Sequence, residues 1–354
     1  MPPLSKRYKS FLLFEFTATF VKLEVNMNDK IQAIQKAIKS LEKEFGRNVV
    51  IQLGESKKTD IEVIPTGSVM LDNATGIGGW PRGRIVEIYG KESGGKTLLS
   101  LLSIAEVQRM GGTAAFIDAE HSFVVSWAEK LGVNTKDLYL CQENCAEEAL
   151  EIMDRLIRSY GFDLVVLDSI ASLVPKEELE GTMSDQQMGL QARIMGKALR
   201  KLTHSIHDSN TACIFINQVR TKMGVMFGEK EDTPGGRALK FYASMRVQVS
   251  KVSGSTISED GKKVGHQVHC LIKKNKVGPP FGEAIFTVNY FTGIDKIMEL
   301  IDLAILKNIV KIVENEKYEF NGKIYSKNRL YSTIKKNEDI YKTIKEAING
   351  TEKV

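Results

Sequence analysis

The chain has 354 residues, of which 42% are hydrophobic and 26% charged, proportions that are ordinary for a globular protein. Its formal net charge of +5 is compatible with nucleic-acid binding, but an ordinary solvated surface explains it equally well. No stretch is long enough to span a membrane, and the four cysteines have neither zinc spacing nor a C-x-x-C pair. These observations argue against a membrane-spanning protein and against a zinc site built from cysteines. We therefore expect a cytoplasmic protein whose cysteines are free thiols.

Two segments precede the main domain. Residues 1–26 carry basic side chains before a short apolar run, but Glu15 interrupts that run and no cleavage site follows. Met27 stands directly before a plausible helix start, so we expect residues 1–26 to be an upstream extension that need not be native. Residues 27–59 show apolar side chains at helical spacing and then the strand-like segment Val49–Leu53, which indicates a small N-terminal arm. The apolar stripe of its helix needs a partner, either in its own core or on a neighbouring subunit.

Residues 60–293 alternate between strand-like and helix-like segments, which indicates a mostly parallel sheet covered on both faces. The last three extended runs have no helices between them, so we expect antiparallel strands that extend the sheet, with a polar turn over Gly254–Gly265. Residues 294–354 carry helical patterns around a hairpin signal at Asn321-Gly322 and predict a small α+β C-terminal domain. The predicted strands are Ile85–Tyr89, Thr113–Asp118, Asp163–Asp168, Ala212–Asn217, Met245–Lys251, Gln267–Lys273 and Ala284–Tyr290, and the main helices are Leu98–Met110, Ala146–Tyr160 and Gln186–His207.

The segment Gly90–Thr97 fits the phosphate-binding pattern G-x-x-x-x-G-K-[ST] and stands between a predicted strand and a predicted helix. Glycines let the backbone N–H groups point at a phosphate, and the N-terminus of the following helix adds positive potential. In this pattern Lys96 reaches the β- and γ-phosphates of a nucleotide, and the Thr97 hydroxyl binds Mg²⁺. The alternative is a structural glycine-rich turn, which the strand-and-helix setting disfavours.

Three further predicted strands end in polar side chains. Asp168 ends an apolar strand, as does the carboxylate that holds Mg²⁺ in nucleotide-hydrolysing proteins. Glu120 suits a general base that polarises an attacking water, although a solvent-exposed carboxylate is the plain alternative. Gln218 stands where an amide can hydrogen-bond the γ-phosphate. The long segment Val219–Gly236 suits contacts to bases and phosphates, but from the residues alone a bland surface loop is equally compatible.

From about residue 28 to the C-terminus, the sequence resembles the bacterial RecA family of recombinases. The matching stretches are together far more specific than a phosphate loop, and they favour the DNA-binding interpretation of the segment after Gln218. The resemblance implies an α/β fold with a P-loop NTPase core and a twisted, mostly parallel sheet. The stretches are Gly83–Thr97, Ala115–His121, Gln186–Met195, Ile214–Arg220, Met223–Gly228, Pro234–Ala243 and Lys274–Lys276.

The resemblance implies roles for individual residues. Catalytic roles fall to Lys96, to Glu120 as the hydrolytic base, to Gln218 as a γ-phosphate sensor, and to Lys274 and Lys276 acting on the ATP of the adjacent protomer. The implied Mg²⁺ residues are Thr97 and Asp168. The implied ATP-binding residues are Gly90, Lys91, Glu92, Ser93, Gly94, Gly95, Lys96, Thr97, Leu98 and Trp127. The implied DNA-binding residues are Met188, Gly189, Arg193, Arg200, Arg220, Lys222, Met223, Gly224, Gly235, Gly236 and Arg237.

Such a protein uses ATP and Mg²⁺ to form a homo-oligomeric helical filament on single-stranded DNA, which pairs with double-stranded DNA and exchanges strands. The implied reaction is DNA-dependent hydrolysis of ATP to ADP and phosphate. The implied further partners are a LexA-type repressor, whose self-cleavage starts the SOS response, and filament-loading mediators. The chain departs from the family at Val124 and Trp127, where an acid and a tyrosine are usual near the adenine, and at Lys91 and Gly94 within the loop.

Three other functions compete with this interpretation. A ring-forming helicase of the same superfamily would share the phosphate loop but not the stretches Pro234–Ala243 and Lys274–Lys276. A scaffold that binds ATP and DNA without hydrolysis would not need Glu120. A small-molecule P-loop kinase has no use for the long glycine-rich segment after Gln218.

Overall fold

The computed structural model describes residues 27–46, 49–50, 61–182, 189–221, 231–259, 261–313 and 317–350. The chain divides into two compact units, Met1–Asp60 and Ile61–Val354. In the first unit, helix α1 spans residues 27–45, as the apolar spacing predicts. Residues 1–26 and most of the strand predicted for the N-terminal arm lie outside the described residues.

The second unit alternates strands and helices over most of its length. Its strands are β1 (Val63–Ile64), β2 (Trp80–Pro81), β3 (Ile85–Gly90), β4 (Ala114–Asp118), β5 (Leu138–Cys141), β6 (Leu164–Asp168), β7 (Ala212–Gln218), β8 (Arg220–Thr221), β9 (Glu231–Asp232), β10 (Met245–Lys251), β11 (Ile257–Glu259), β12 (Lys262–Asn275), β13 (Glu283–Asn289), β14 (Gly293–Ile294), β15 (Lys311–Val313), β16 (Lys317–Phe320) and β17 (Lys323–Ser326). Its helices are α2 (Val69–Thr75), α3 (Lys96–Arg109), α4 (Val125–Lys130), α5 (Ala146–Arg158), α6 (Lys176–Glu180), α7 (Leu190–Ser209), α8 (Ala238–Tyr242), α9 (Lys296–Leu306), α10 (Lys327–Lys336) and α11 (Glu338–Gly350).

In the described part of the chain, a ten-stranded sheet runs in the order β14-β13-β12-β10-β3-β7-β6-β4-β5, with β11 paired to β12. Strands β10, β3, β7, β6, β4 and β5 are parallel, whereas β12, β13 and β14 pair antiparallel. The predicted α/β class and the antiparallel extension are therefore confirmed. The predicted turn over Gly254–Gly265 was wrong in extent, because Ile257–Glu259 pairs with the start of β12 and narrows the turn.

Two apolar clusters cover the two faces of this sheet, as the buried strands require. Along β6, Leu164 and Val166 belong to one cluster, and Val165 and Leu167 belong to the other. Helix α3 packs into the first cluster, and α5 and α7 pack into the second. The core therefore holds the carboxyl ends of the central strands in fixed positions.

The end of the chain builds a third apolar cluster from α9, α10, α11 and the β15-β16-β17 sheet. The predicted hairpin turn is present, and Asn321 and Gly322 have the positive φ values of 49° and 71° that a tight turn requires. Glu299 of α9 is buried and accepts a hydrogen bond from Ser68 Oγ, the N-cap of α2. Across the described ranges, we find no helix long and apolar enough to cross a bilayer.

Candidate nucleotide and DNA site

The phosphate-loop segment Gly90–Thr97 connects β3 directly to α3. A Cβ atom at Gly90 would lie 1.9 Å from the carbonyl oxygen of Val249 on the neighbouring strand, so this position accepts only glycine. Gly95 caps α3 with a φ of 102°, which turns the chain sharply into the helix. The first N–H groups of a helix lack acceptors within the helix, so they are available to a phosphate at this turn.

Lys96 opens α3, and its side chain folds back over the loop. Its Nζ donates to the carbonyl oxygen of Lys91 at 2.8 Å, and the residue is 8% exposed. Burial lowers the pKa of Lys96, while the charges of Asp168, Glu120 and Glu92 act in the opposite direction. The loop therefore holds a cation that is removed from water, where its attraction for a phosphate is strongest.

The predicted strand-end residues meet at this loop. Thr97 Oγ1 donates to Asp168 Oδ2 at 2.6 Å. Glu120 Oε1 accepts from Ser169 Oγ at 2.5 Å and from Gln218 Nε2 at 3.2 Å. Because β3, β7, β6 and β4 are adjacent and parallel, their carboxyl ends lie along one edge of the sheet, where ligands bind in open α/β folds.

Thr97 and Asp168 fit a magnesium site. Mg²⁺ prefers oxygen ligands and takes few of them from the protein, the rest being water and phosphate oxygens. Accordingly, no group of three or more His, Cys, Asp or Glu residues suited to a metal occurs within the described ranges. Burial raises the pKa of Asp168 to about 6, and the nearby charge of Glu120 adds to this effect, so a bound cation would relieve an unfavourable buried charge.

Sequence reasoning missed Asp118, which shapes the turn that carries Glu120. Asp118 is fully buried, and its carboxylate accepts from the N–H groups of Ser122 and Phe123 and from Gln142 Nε2. These bonds hold the segment after β4 in position. The signal available in the sequence was an acid at the end of an apolar strand, two residues before Glu120.

Two of the nucleotide residues implied by the resemblance have apolar surroundings. The Leu98 side chain is buried in the core, so a contact with phosphate falls to its backbone N–H. Trp127 of α4 is half-buried and packs against the same core cluster. Val124, the N-cap of α4, is 57% exposed and makes no side-chain capping bond.

Lys274 and Lys276 lie at the opposite end of the sheet from the phosphate loop. Lys274 Nζ donates to the carbonyl oxygens of Lys240 and Phe241 at 2.6 and 3.0 Å, and Lys276 Nζ donates to the latter at 3.0 Å. The Lys276 N–H bonds to Ser244, whose own N–H bonds to Ile85 at the start of β3. At about 3.3 Å per residue, the start of β3 is about 17 Å from its end, so these lysines cannot reach the loop of their own chain.

The DNA-binding residues implied by the resemblance fall on two elements. Gly189 caps α7, and Arg193 and Arg200 extend from α7 with exposed side chains. Arg220 and Arg237 are also exposed, on either side of the segment that follows Gln218. Gly235 and Gly236 pack closely, since a Cβ atom on them would lie 3.0 Å from Ile170 and 2.7 Å from Ala192. Four of the implied residues lie outside the described ranges: Met188, Lys222, Met223 and Gly224.

Comparison with known proteins places this site in a family. The sequence-family model for the RecA N-terminal domain matches residues 32–295 of this chain. The RecA protein of Thermus thermophilus is 52% identical over 282 residues, which cover 80% of this chain and 83% of that protein. The chain belongs to the RecA family. The RecA proteins of Aquifex pyrophilus and Leptospira biflexa are 51% and 50% identical, over 80% and 85% of this chain and 81% and 77% of their own.

Membership in the RecA family makes this protein a recombinase of DNA repair that binds ATP and DNA. The expected recognition, fold class and general function are thereby confirmed. The match covers the phosphate loop, the strand-end residues, both lysines and the segment after Gln218.

Proposed function

We propose that the protein is a DNA-dependent ATPase that assembles into helical filaments on single-stranded DNA in the cytoplasm and catalyses strand exchange with double-stranded DNA. The proposal rests mainly on the cluster of Thr97, Asp168, Glu120 and Gln218 at the mouth of the phosphate loop in a chain of this family. Roles as co-protease toward a LexA-type repressor in the SOS response, and as a partner of loading mediators, belong to the same proposal.

ATP is proposed to bind with its phosphates against the N–H groups of the loop and the Nζ atom of Lys96. Thr97 and Asp168 would hold Mg²⁺, which when bound neutralises negative charge on the phosphate oxygens. Glu120 would accept a proton from the attacking water as that water bonds to the γ-phosphorus, while the bond from the γ-phosphorus to the β–γ bridging oxygen breaks and ADP leaves. Its bonds to Ser169 and Gln218 orient the carboxylate beforehand. Trp127 would stack on the adenine through its exposed side.

The lysine pair is proposed to act on a neighbouring protomer. Since Lys274 and Lys276 lie at the end of the sheet away from their own phosphate loop, a second copy must supply the nucleotide that they contact. Their ammonium groups would then stabilise the charge on its γ-phosphate, as an arginine finger does. A head-to-tail contact of this kind gives an open helix when its rotation does not close into a ring, and the proposed filament requires the open form.

DNA is proposed to lie along α7 and the segment after Gln218. Arg193, Arg200, Arg220 and Arg237 supply exposed positive charge for phosphates, and the close packing of Gly235 and Gly236 ties that segment to α7. Base pairing between the strands, not protein contacts to the bases, would then decide which duplex is accepted.

The proposed domain organisation follows these roles. Residues 27–59 would be a polymerisation arm, residues 60–293 the ATPase core, and residues 294–354 a C-terminal α+β domain. The separate apolar cluster of α9, α10 and α11 supports the last boundary. Residues 1–26 are proposed to be an upstream extension outside these domains.

A strand-exchange assay tests the proposed function. Purified protein should transfer a strand from a linear duplex to homologous single-stranded DNA when ATP and Mg²⁺ are present. Without ATP, or with a heterologous duplex, product should stay at background. Absence of exchange by a protein that still binds ATP would reject the recombinase proposal, and unwinding of a duplex without homology would favour the ring helicase.

A further inference from the structure

We propose that Asn217, Glu87 and Arg246 form a buried polar relay that positions Lys274 and Lys276 according to the state of Gln218 and of the DNA-binding segment. The inference deepens the proposed function and rests on it. The three residues are positioning residues, because none of them is among the groups proposed to contact the nucleotide and each acts through a neighbouring residue.

Asn217 joins three parts of the molecule through one side chain. Its Oδ1 accepts from the backbone N–H of Gln218 at 3.0 Å. Its Nδ2 donates to Glu87 Oε1 at 3.1 Å and to the carbonyl oxygen of Pro234 at 3.1 Å. Both donors of the amide are therefore engaged, and a movement of the Gln218 backbone would act on a side chain that also bonds to Pro234 and Glu87.

Pro234 lies directly before Gly235, which packs tightly against Ile170, and Gly236, which packs against Ala192 of α7 with no room for a Cβ atom. A displacement at Pro234 is therefore passed to the proposed DNA-binding face. The same segment continues into α8 (Ala238–Tyr242), whose carbonyl oxygens receive the ammonium groups of the lysine pair.

From Asn217 the relay runs to Pro234, as described above, and also across the sheet through Glu87. Glu87 is fully buried on β3, and its Oε2 accepts from Arg246 Nε on β10. The Arg246 guanidinium stacks over the ring of Tyr89, with its Cζ 4.5 Å from the ring centroid. On the far side, Arg246 lies directly opposite Lys274 on β12, and the register shifts immediately after Arg246. The polar groups thus run across four neighbouring strands, from the neutral amide of Asn217 on β7 to the charged side chains on β3, β10 and β12.

A buried ion pair is weak evidence for a stabilising role, because its replacement by apolar residues of similar volume is often neutral or stabilising. A buried ion pair does depend strongly on geometry, since its charges cannot turn to water if a partner moves. The Glu87–Arg246 pair therefore suits a connection in which a movement at Asn217 must be matched by a movement at Lys274.

The deciding variant is the double substitution Glu87→Met with Arg246→Met. It removes both charges of the ion pair and keeps side chains of similar volume. Glu87→Gln alone would leave Arg246 without its countercharge and can fail on stability alone. The matched control is Arg82→Met. The side chains of Arg82 and Arg246 are both 15% exposed and both form an ion pair, but the partner of Arg82 is Asp163, which is not part of the relay.

The measurement is the affinity for labelled oligo(dT), once with a non-hydrolysable ATP analogue and once with ADP. Wild type and Arg82→Met should bind DNA at least about tenfold more tightly with the ATP analogue, a typical coupling between two sites. In the double variant, the ratio of the DNA affinity with the ATP analogue to that with ADP should fall to near one. The Hill coefficient for ATP hydrolysis should also fall toward one. Its nucleotide affinity without DNA should stay close to wild type, and its melting temperature should fall by no more than the lost Asn217–Glu87 hydrogen bond accounts for.

A double variant that folds and keeps the ratio would overturn the relay and leave the proposed function intact. Failure of the double variant to fold would also overturn it, because the pair would then be a stability element. If wild type shows no dependence on nucleotide, the proposed function itself fails.

Discussion

At the scale of single residues, the proposed role of Glu120 predicts that hydrolysis and nucleotide binding can be separated. Its carboxylate is exposed at the mouth of the loop and is oriented by Ser169 and Gln218, whereas the phosphates are proposed to bind to Lys96 and backbone N–H groups. The proposed base and the proposed binding groups are therefore different atoms on different elements.

Glu120→Gln should reduce DNA-stimulated ATP hydrolysis by about 100-fold or more, because the amide cannot accept the proton of the attacking water. ATP affinity should change little, as measured by titration with a fluorescent analogue. Glu129→Gln on α4 is a charge-matched control and should leave both quantities unchanged. Normal hydrolysis by Glu120→Gln would show that another group is the base.

At the scale of elements, the contact between α9 and α2 depends on a buried carboxyl group. Glu299 is 2% exposed and bonds to Ser68, which also accepts from the N–H of Leu71 to cap α2. Burial is the main cause that raises the pKa of Glu299 to about 8, against its usual 4.5. Between about pH 4.5 and pH 8, the folded protein therefore keeps a proton on Glu299 that the unfolded chain releases.

The stabilisation from this proton should be complete below about pH 4.5 and should be lost as the pH rises to about 8. Each pKa unit corresponds to about 1.4 kcal/mol, so the effect on the free energy of unfolding should be measurable. Glu299→Gln keeps the bond to Ser68 and should remove this part of the pH dependence. Denaturant unfolding at pH 5, 6.5 and 8.5 checks it, and identical slopes in both proteins would contradict it.

At the scale of the whole molecule, the apolar face of α1 bears on assembly. Ile34 and Phe45 are 57% and 65% exposed, and they share one stripe of the helix with Ile31 and Leu41. A stripe of this kind in contact with water favours association with a second surface. We propose that the surface belongs to the next protomer of the filament.

Ile34→Glu should prevent filament formation by placing a charge in this stripe, while ATP binding by the isolated protein persists. Electron microscopy with single-stranded DNA and a non-hydrolysable ATP analogue measures filament length. Gln32→Glu introduces the same charge on another face of α1 and should leave filaments intact. Equal filament lengths in the two variants would remove α1 from the interface.

Much of the architecture could be predicted from local patterns. Buried strands and amphipathic helices repeat over neighbouring residues, so β3, β6, β7 and α5 were found within one or two residues of their ends at most. Shorter elements such as β5 and α8, of four and five residues, were missed because so few residues do not establish a period.

The sequence by itself determined the phosphate loop, because all eight residues of Gly90–Thr97 are contiguous and their chemistry is local. It also identified Asp168 and Gln218 at the ends of strands and Glu120 just beyond the end of another. Only the tertiary structure decided that these ends meet, since the order β3-β7-β6-β4 follows from packing and not from periodicity. The bonds from Glu87 to Asn217 and Arg246 span 130 and 159 positions of the chain. Contacts at such separations exist only once the strands are side by side, so no local pattern contains them.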